Sequence, residues 1–198
     1  MAFAHSWIAV QGLTREQALE ALAMEVSDVQ TDILEEIALF EWSDDWLVLL
    51  SEDDRDAING DLAELGTLGR AYVAYGVDVD APYATACGRA GKDDWIVTGK
   101  PDRGRISVVG QPPGQLDSII ATARAGQADT EIDLSFEIPA ELAESICGFR
   151  MGKGDPDTFR HVSLKSTGIP TSAHAVGRRS PGLLLTPVWA GLVVTRAA

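Results

Sequence analysis

The stretch IALFEWSDDWLVLL, from Ile37 to Leu50, decides the fold class of this 198-residue chain. It predicts two short strands, residues 37–42 and 46–50, joined by a turn at Ser43-Asp44-Asp45. Aspartate and serine favour turns because their short side chains hydrogen-bond nearby backbone amides. The flanking aromatic, β-branched and aliphatic side chains are typical of a buried sheet. The stretch therefore predicts a hairpin at the centre of a β-sheet.

Part of this pattern recurs 49 residues later in the chain. Asp44-Asp45-Trp46-Leu47-Val48 is echoed by Asp93-Asp94-Trp95-Ile96-Val97, so two acidic turns each lead into a strand through a tryptophan. A duplication into two similar halves would explain this repeat. A chance recurrence of a favourable turn explains five residues equally well.

Helix and strand signals follow one another in groups along the chain. Apolar residues at helical spacing predict helices over residues 14–26, 51–66, 112–126 and 139–148. The first of these begins with a capping box formed by Thr14 and Gln17, and the last ends at the C-cap residue Gly148. Alternation and turn signals predict strands at residues 6–10, 71–77, 83–88, 95–98, 106–109 and 131–138, besides the central hairpin.

The resulting order is β-α-β-β-α-β-β-β-β-α-β-α. Because helices stand between groups of strands and not after each strand, the order favours the α+β class. We expect an antiparallel sheet of short strands and hairpins, with about four helices packed mainly on one face.

Charge divides the chain into two parts of opposite sign. Residues 1–150 hold 10 Lys/Arg and 28 Asp/Glu, a net −18, whereas residues 151–198 hold 6 and 2, a net +4. We expect an acidic globular domain over residues 1–150. Residues 151–198 form a basic extension rich in Gly, Pro and Ser, which we expect to be disordered in part or docked on the domain. An acidic domain of this charge repels nucleic acid and attracts a basic protein.

Cysteine usage and hydropathy indicate a cytoplasmic protein. Cys87 and Cys147 are too few for a disulfide framework, so a reducing compartment is expected. No signal peptide is predicted, and no run approaches the roughly 20 apolar residues that a membrane helix needs. Both cysteines stand in apolar stretches, where burial lowers the reactivity of a thiol.

The sequence carries no signature of a metal, phosphate or cofactor site. His5, His161 and His174 are scattered and lack the spacing of zinc ligands. Asp78 and Asp80 come nearest to a weak divalent-cation site, and their ordinary interpretation is a solvated strand end. We predict no metal and no cofactor.

The acidic turns with their tryptophans remain as candidates for a binding site. Tryptophans anchor protein interfaces, and carboxylates steer basic partners toward them. A tryptophan beside a strand is also a common core residue. The predicted partner-binding residues are Trp42, Asp44, Asp45, Trp46, Asp93, Asp94 and Trp95.

These features favour a non-enzymatic acidic binding protein. As a class, it resembles the bacterial immunity proteins and antitoxins that neutralise a basic protein partner, although no specific motif carries that analogy. Two alternatives stay open. One is a self-associating structural or regulatory module that uses its apolar C-terminal end, and the other is an enzyme with a site built from scattered carboxylates.

Overall fold

A nine-stranded antiparallel sheet organises the described part of the chain. The computed structural model describes residues 4–26, 37–42, 45–80, 83–90, 93–100, 105–127, 134–152 and 160–164. The strands are β1 Ala4–Gln11, β2 Met24–Val26, β3 Ile37–Trp42, β4 Trp46–Ser51, β5 Ala71–Asp78, β6 Tyr83–Ala90, β7 Asp93–Lys100, β8 Arg105–Gly110 and β9 Arg160–Leu164. Together with the helices, this sheet confirms the predicted α+β class and its antiparallel pairing.

Strand β1 lies at the middle of the sheet, whose order is β2-β9-β3-β4-β1-β5-β6-β7-β8. Ile8 of β1 is opposite Leu49 of β4 on one side and Ala74 of β5 on the other. The central hairpin has the predicted strands, with Trp42 opposite Trp46 at its end. Strands β5 to β8 form the predicted meander, in which each strand pairs with the next.

Both faces of the sheet carry a hydrophobic core. On one face, β-strand residues such as Trp7, Val48 and Trp95 pack with the helices α2 Gln115–Gln127 and α3 Glu137–Cys147. On the other face, Ile8 and Leu49 pack with the helix α1 Arg15–Ala21 and the 3-10 helix Asp61–Thr67. The two longest described helices share one face, and α1 and the 3-10 helix cover the other.

Burial on both faces explains the unbroken apolar run of the central hairpin. Every residue of β4, Trp46–Ser51, is buried, because successive side chains of a strand point to opposite faces and both faces are covered. Burying a large apolar side chain stabilises a fold by about 1.5–3 kcal/mol. A strand of this kind gains this stabilisation from the side chains on both faces, so its apolar residues do not alternate with polar ones.

The start of α1 is predicted correctly, and its end is not. Thr14 Oγ1 accepts from the Gln17 amide at 3.3 Å, and Gln17 Oε1 accepts from the Thr14 amide at 2.9 Å, which completes the capping box. The helix ends at Ala21, and Ala23 adopts a left-handed backbone with φ 52°. The predicted continuation to residue 26 is wrong because Met24–Val26 instead pairs with β9, more than 130 residues away in sequence.

The predicted helix over residues 51–66 is also corrected. Ser51 is the last residue of β4, and its Oγ accepts from the Asp53 amide at 3.1 Å. The amides of Ile58 and Gly60 both donate to the Arg55 carbonyl oxygen at 3.0 Å, so the segment turns on itself. Only Asp61–Thr67 is helical, as a 3-10 helix.

The predicted strand over residues 131–138 is wrong in its described part. Residues 128–133 lie outside the described residues, Leu134–Phe136 is a 3-10 turn, and α3 already begins at Glu137. The Ser135 carbonyl group packs closely against Gly99 of β7, so that any side chain on Gly99 would collide with it. Leu134, Phe136 and Ile138 therefore contact the core from above the sheet and not from a strand within it.

The sheet takes in part of the predicted C-terminal extension. Gly148, with φ 74°, ends α3 as predicted, and Phe149 then packs its ring 5.0 Å from the Trp7 ring. Strand β9 lies between β2 and β3, so residues 160–164 belong to the sheet. Residues 165–198 lie outside the described residues. The longest described helix has 13 residues, and no described helix is long and apolar enough to cross a membrane.

Replacing Gly99 with alanine tests the packing of Ser135 on β7. A Cβ at Gly99 would lie 2.1 Å from the Ser135 carbonyl oxygen, whereas a Cβ at Gly114 meets nothing within 4 Å. Because overpacking costs about 1–3 kcal/mol, we expect Gly99→Ala to lower the free energy of unfolding by that amount. The matched control Gly114→Ala should change it by less than about 0.5 kcal/mol. Urea denaturation followed by tryptophan fluorescence measures both, and equal stability of the two variants would contradict this packing.

Candidate functional site

The connected ends of the β3–β4 and β6–β7 hairpins lie at the same end of the sheet, where its strands terminate. The register forms one continuous row of residues across six strands: Phe40, Val48, Ala9, Val73, Gly88 and Trp95. From this row, β3 runs on to Trp42, and Asp94 and Asp93 precede Trp95 at the corresponding end of β7. Strand spacings of about 4.8 Å put β3 and β7 about 24 Å apart.

Asp45 marks the β3–β4 end of this row. Its backbone is left-handed, with φ 70°, a conformation that aspartate tolerates better than most residues. Its carbonyl oxygen accepts from the Gly12 amide at 3.0 Å, and its carboxylate accepts from the exposed guanidinium of Arg70. These bonds tie the hairpin end to the end of β1 and to the residue before β5. Asp44 lies outside the described residues.

Asp94 and Asp93 mark the β6–β7 end. Arg89 Nε donates to Asp94 Oδ1 at 3.0 Å across the two strands, and the Arg89 guanidinium lies 5.5 Å from the centroid of the Tyr72 ring. Burial raises the pKa of Tyr72 to about 12, with a smaller contribution from Asp94, so the ring stays neutral. Asp93 is exposed opposite Ala90.

The tryptophans of the predicted site serve mainly as core residues. Trp95 is 1% exposed and Trp46 is 8% exposed, so neither ring presents a surface to a partner. Trp42 is half-buried, and its ring lies 5.7 Å from Phe149 and 5.8 Å from Phe40. Its indole nitrogen is buried and has no hydrogen-bond acceptor among the described residues. The tryptophans therefore fix the hairpins to the core, and the carboxylates face outward.

We call the described carboxylates at this end of the sheet the acidic rim: Glu41, Asp45, Asp93 and Asp94. Side-chain exposure is 60% for Asp45 and 24% for Asp94, and Glu41 and Asp93 are exposed. Counted together with Arg70 and Arg89, which pair with Asp45 and Asp94, the four carboxylates give the rim a net charge of −2. Glu41 and both arginines are members of this group that were not predicted from the sequence. A strict two-residue hairpin at residues 91–92 would have placed Arg89 opposite Asp94, which is the signal that could have found that pair.

A second group of carboxylates lies at the opposite end of the sheet. Asp78 Oδ1 accepts from the Asp80 amide at 2.8 Å, which closes a turn after β5. Desolvation raises the pKa of the nearby Asp54, and the charges of Asp53 and Asp78 add to this effect against the attraction of Arg55. No group of three histidine, cysteine, aspartate or glutamate residues in the described part of the chain could hold a metal ion.

The two cysteines lack the features of nucleophiles. Cys87 and Cys147 are both buried free thiols, as predicted. Burial raises the pKa of each thiol to about 12, so the reactive thiolate is scarce at neutral pH.

Comparison with protein-family models, with curated protein sequences and with solved structures gave no match to this chain.

His5 is the one histidine whose side chain the structure describes. It is 7% exposed in β1, and its ring centroid lies 6.0 Å from that of Tyr75. Burial lowers the pKa of His5 to about 4, because the charged imidazolium loses its hydration.

This lowered pKa predicts a loss of stability in mild acid. The unfolded chain protonates His5 near pH 6.5 and the folded chain near pH 4, so the contribution of His5 is complete above pH 6.5 and falls as the pH drops toward 4. We expect this contribution to fall by about 2 kcal/mol between pH 7 and pH 4.5. Because glutamine does not titrate, the fall in the free energy of unfolding between these two pH values should be smaller in His5→Gln than in the unsubstituted protein by about 2 kcal/mol. Urea denaturation at both pH values measures the difference, and identical pH dependence in the two proteins would be the opposite result.

Proposed function

We propose that this protein is a non-enzymatic binding protein that holds a basic protein partner on the acidic rim and inhibits it, in the manner of an immunity protein or antitoxin. The observation that carries the proposal is the continuous row of residues from Phe40 to Trp95, because it places carboxylates of two separate hairpins at the same end of the sheet. The basic character of the partner is supported by composition, with a net −18 over residues 1–150.

The size of the rim suits a protein partner better than a small ligand. Its two ends are about 24 Å apart, and a standard protein interface buries about 800 Å² on each partner, a patch of similar width. A small ligand binds in a concave pocket, whereas the rim lies along strand ends. Lysine and arginine side chains spread over a comparable distance would complement it.

The carboxylates of the rim are suited to two different stages of binding. The exposed groups of Asp45 and Asp93 face water, where they add to the long-range field that accelerates encounter with a cation. Asp94 is more buried and is held by Arg89, so its position is fixed before a partner arrives. Fixed groups lose less side-chain entropy on binding. We include Asp44 in the proposed site because it adjoins Asp45 in sequence.

Neutralising the rim tests the proposal. We expect the triple variant Asp45→Asn, Asp93→Asn, Asp94→Asn to slow association with the basic partner by about tenfold at low salt, because the steering field is lost. Asparagine retains the tolerance of the left-handed backbone at Asp45. The partner is obtained by capture from host lysate with mass spectrometry, and association rates of the purified pair are then measured at low and high salt.

A matched control separates the rim from the overall charge. The variant Glu20→Gln, Glu64→Gln, Asp80→Asn removes three exposed carboxylates that are not part of the rim and should slow association by less than about threefold. Equal slowing by both triple variants would contradict a rim-specific site. Capture of the chain's own copies alone would favour the self-associating module in place of an inhibitor.

A further inference from the structure

A groove between α1 and β2 lies apart from the acidic rim. Its volume is about 420 Å³, and we call it the α1–β2 groove. Leu19, Met24 and Val26 supply its apolar lining, and Arg15, Glu16 and Glu25 supply its charged groups. Leu19 and Met24 also belong to the core on this face of the sheet, so the groove opens directly onto that core.

The chain leaves its last described strand beside this groove. Strand β9 runs antiparallel to β2, and its final residue Leu164 is opposite Met24. Residues directly opposite in an antiparallel pair have Cα atoms about 4.5–5.5 Å apart. The chain therefore continues beyond Leu164 from a point about 5 Å from Met24, one of the lining residues of the groove.

The charge of the groove favours the C-terminal segment as its occupant. Residues 165–198 contain 4 Lys/Arg and no Asp/Glu, whereas residues 27–36, which follow β2, contain 4 Asp/Glu and no Lys/Arg. Glu16 and Glu25 of the groove are exposed. Arg15 Nε lies 3.8 Å from Glu16 Oε1, so the charge of Arg15 offsets that of Glu16. The remaining negative charge attracts the first segment and repels the second.

The C-terminal segment also has the apolar residues and the length to fill the groove. Ile169 follows Leu164 by five residues, and the stretch from Leu183 to Val194 is mostly apolar. An extended chain covers about 3.3 Å per residue, so both stretches can reach a groove beside residue 164. Burying aliphatic side chains against Leu19 and Val26, both half-buried, would remove apolar surface from water.

We propose that residues 165–198 dock in the α1–β2 groove of the same molecule. Their apolar side chains contact Leu19, Met24 and Val26, and their lysine and arginine side chains face Glu16 and Glu25. Docking would complete the cover of the sheet on the side of β2 and β9, where the described part of the chain leaves the groove open. Docking of this segment does not depend on the acidic rim or on its partner.

A photo-crosslinking residue at position 15 of the full-length protein tests the proposal. Arg15 lines the groove with 43% of its side chain exposed, so a benzoylphenylalanine in its place should leave the fold intact. Mass spectrometry of the monomer is expected to find cross-links to peptides from residues 165–198. Cross-links only to residues 27–36, only between two copies, or to neither would overturn it. The same probe at Leu68, which is exposed and does not line the groove, should give at most background cross-links to that segment.

Charge reversal in the groove tests whether its negative charge directs the docking. In the protein with the probe at position 15, Glu25→Lys should lower the yield of cross-links to residues 165–198 at least threefold at low salt. The matched change Glu64→Lys, an exposed site outside the groove, should leave the yield unchanged. Unchanged tryptophan fluorescence checks that each variant is folded. Equal yields in the two variants would overturn the charge-directed docking.

Discussion

The burial of β1 on both faces of the sheet is the constraint on which the other parts of the structure depend. Trp7 and Ala9 contribute to one core, and Ile8 and Val10 contribute to the other. Within the sheet, β1 lies between the β3–β4 hairpin and the β5–β8 meander and pairs with both. Loss of β1 would open both cores and separate the two halves of the sheet, so their stability is coupled.

The acidic rim is a consequence of the same arrangement. Inserting the first strand between β4 and β5 aligns two hairpins that are about fifty residues apart in sequence, and it aligns their acidic ends. Gathering like charges opposes folding, and the ion pairs of Arg70 with Asp45 and of Arg89 with Asp94 offset part of that cost. Trp46 and Trp95, buried beneath the rim, hold the hairpins in place. A local conflict of charge on a well-packed scaffold is typical of a binding surface.

The features that the sequence predicts correctly are local. The capping box at Thr14, the left-handed Gly148 and the central hairpin depend on neighbouring residues, and their short-range chemistry can be recognised directly. The features that it misses depend on distant partners. Strand β2 forms only because β9 pairs with it, and the segment at Leu134–Phe136 follows the shape of β7 and not its own alternation. Asp45 was predictable as a turn residue, whereas Asp93 and Asp94, predicted in an acidic turn, are instead the first residues of β7. The strand order that brings these acids to one end of the sheet was not predictable, since no local pattern encodes it. The burial of Trp95 was not predictable for the same reason: it adjoins acidic residues in sequence but lies in the core of the folded protein.

Backbone nuclear Overhauser contacts of β1 provide the most direct test of this account. We predict contacts from Ile8 to both Leu49 and Ala74 in the spectrum of a single folded state. Their presence would establish the sheet order that supports the two cores and the alignment of the hairpin ends. Contacts running directly from β4 to β5, with β1 paired elsewhere, would contradict that order and remove the basis for the acidic rim.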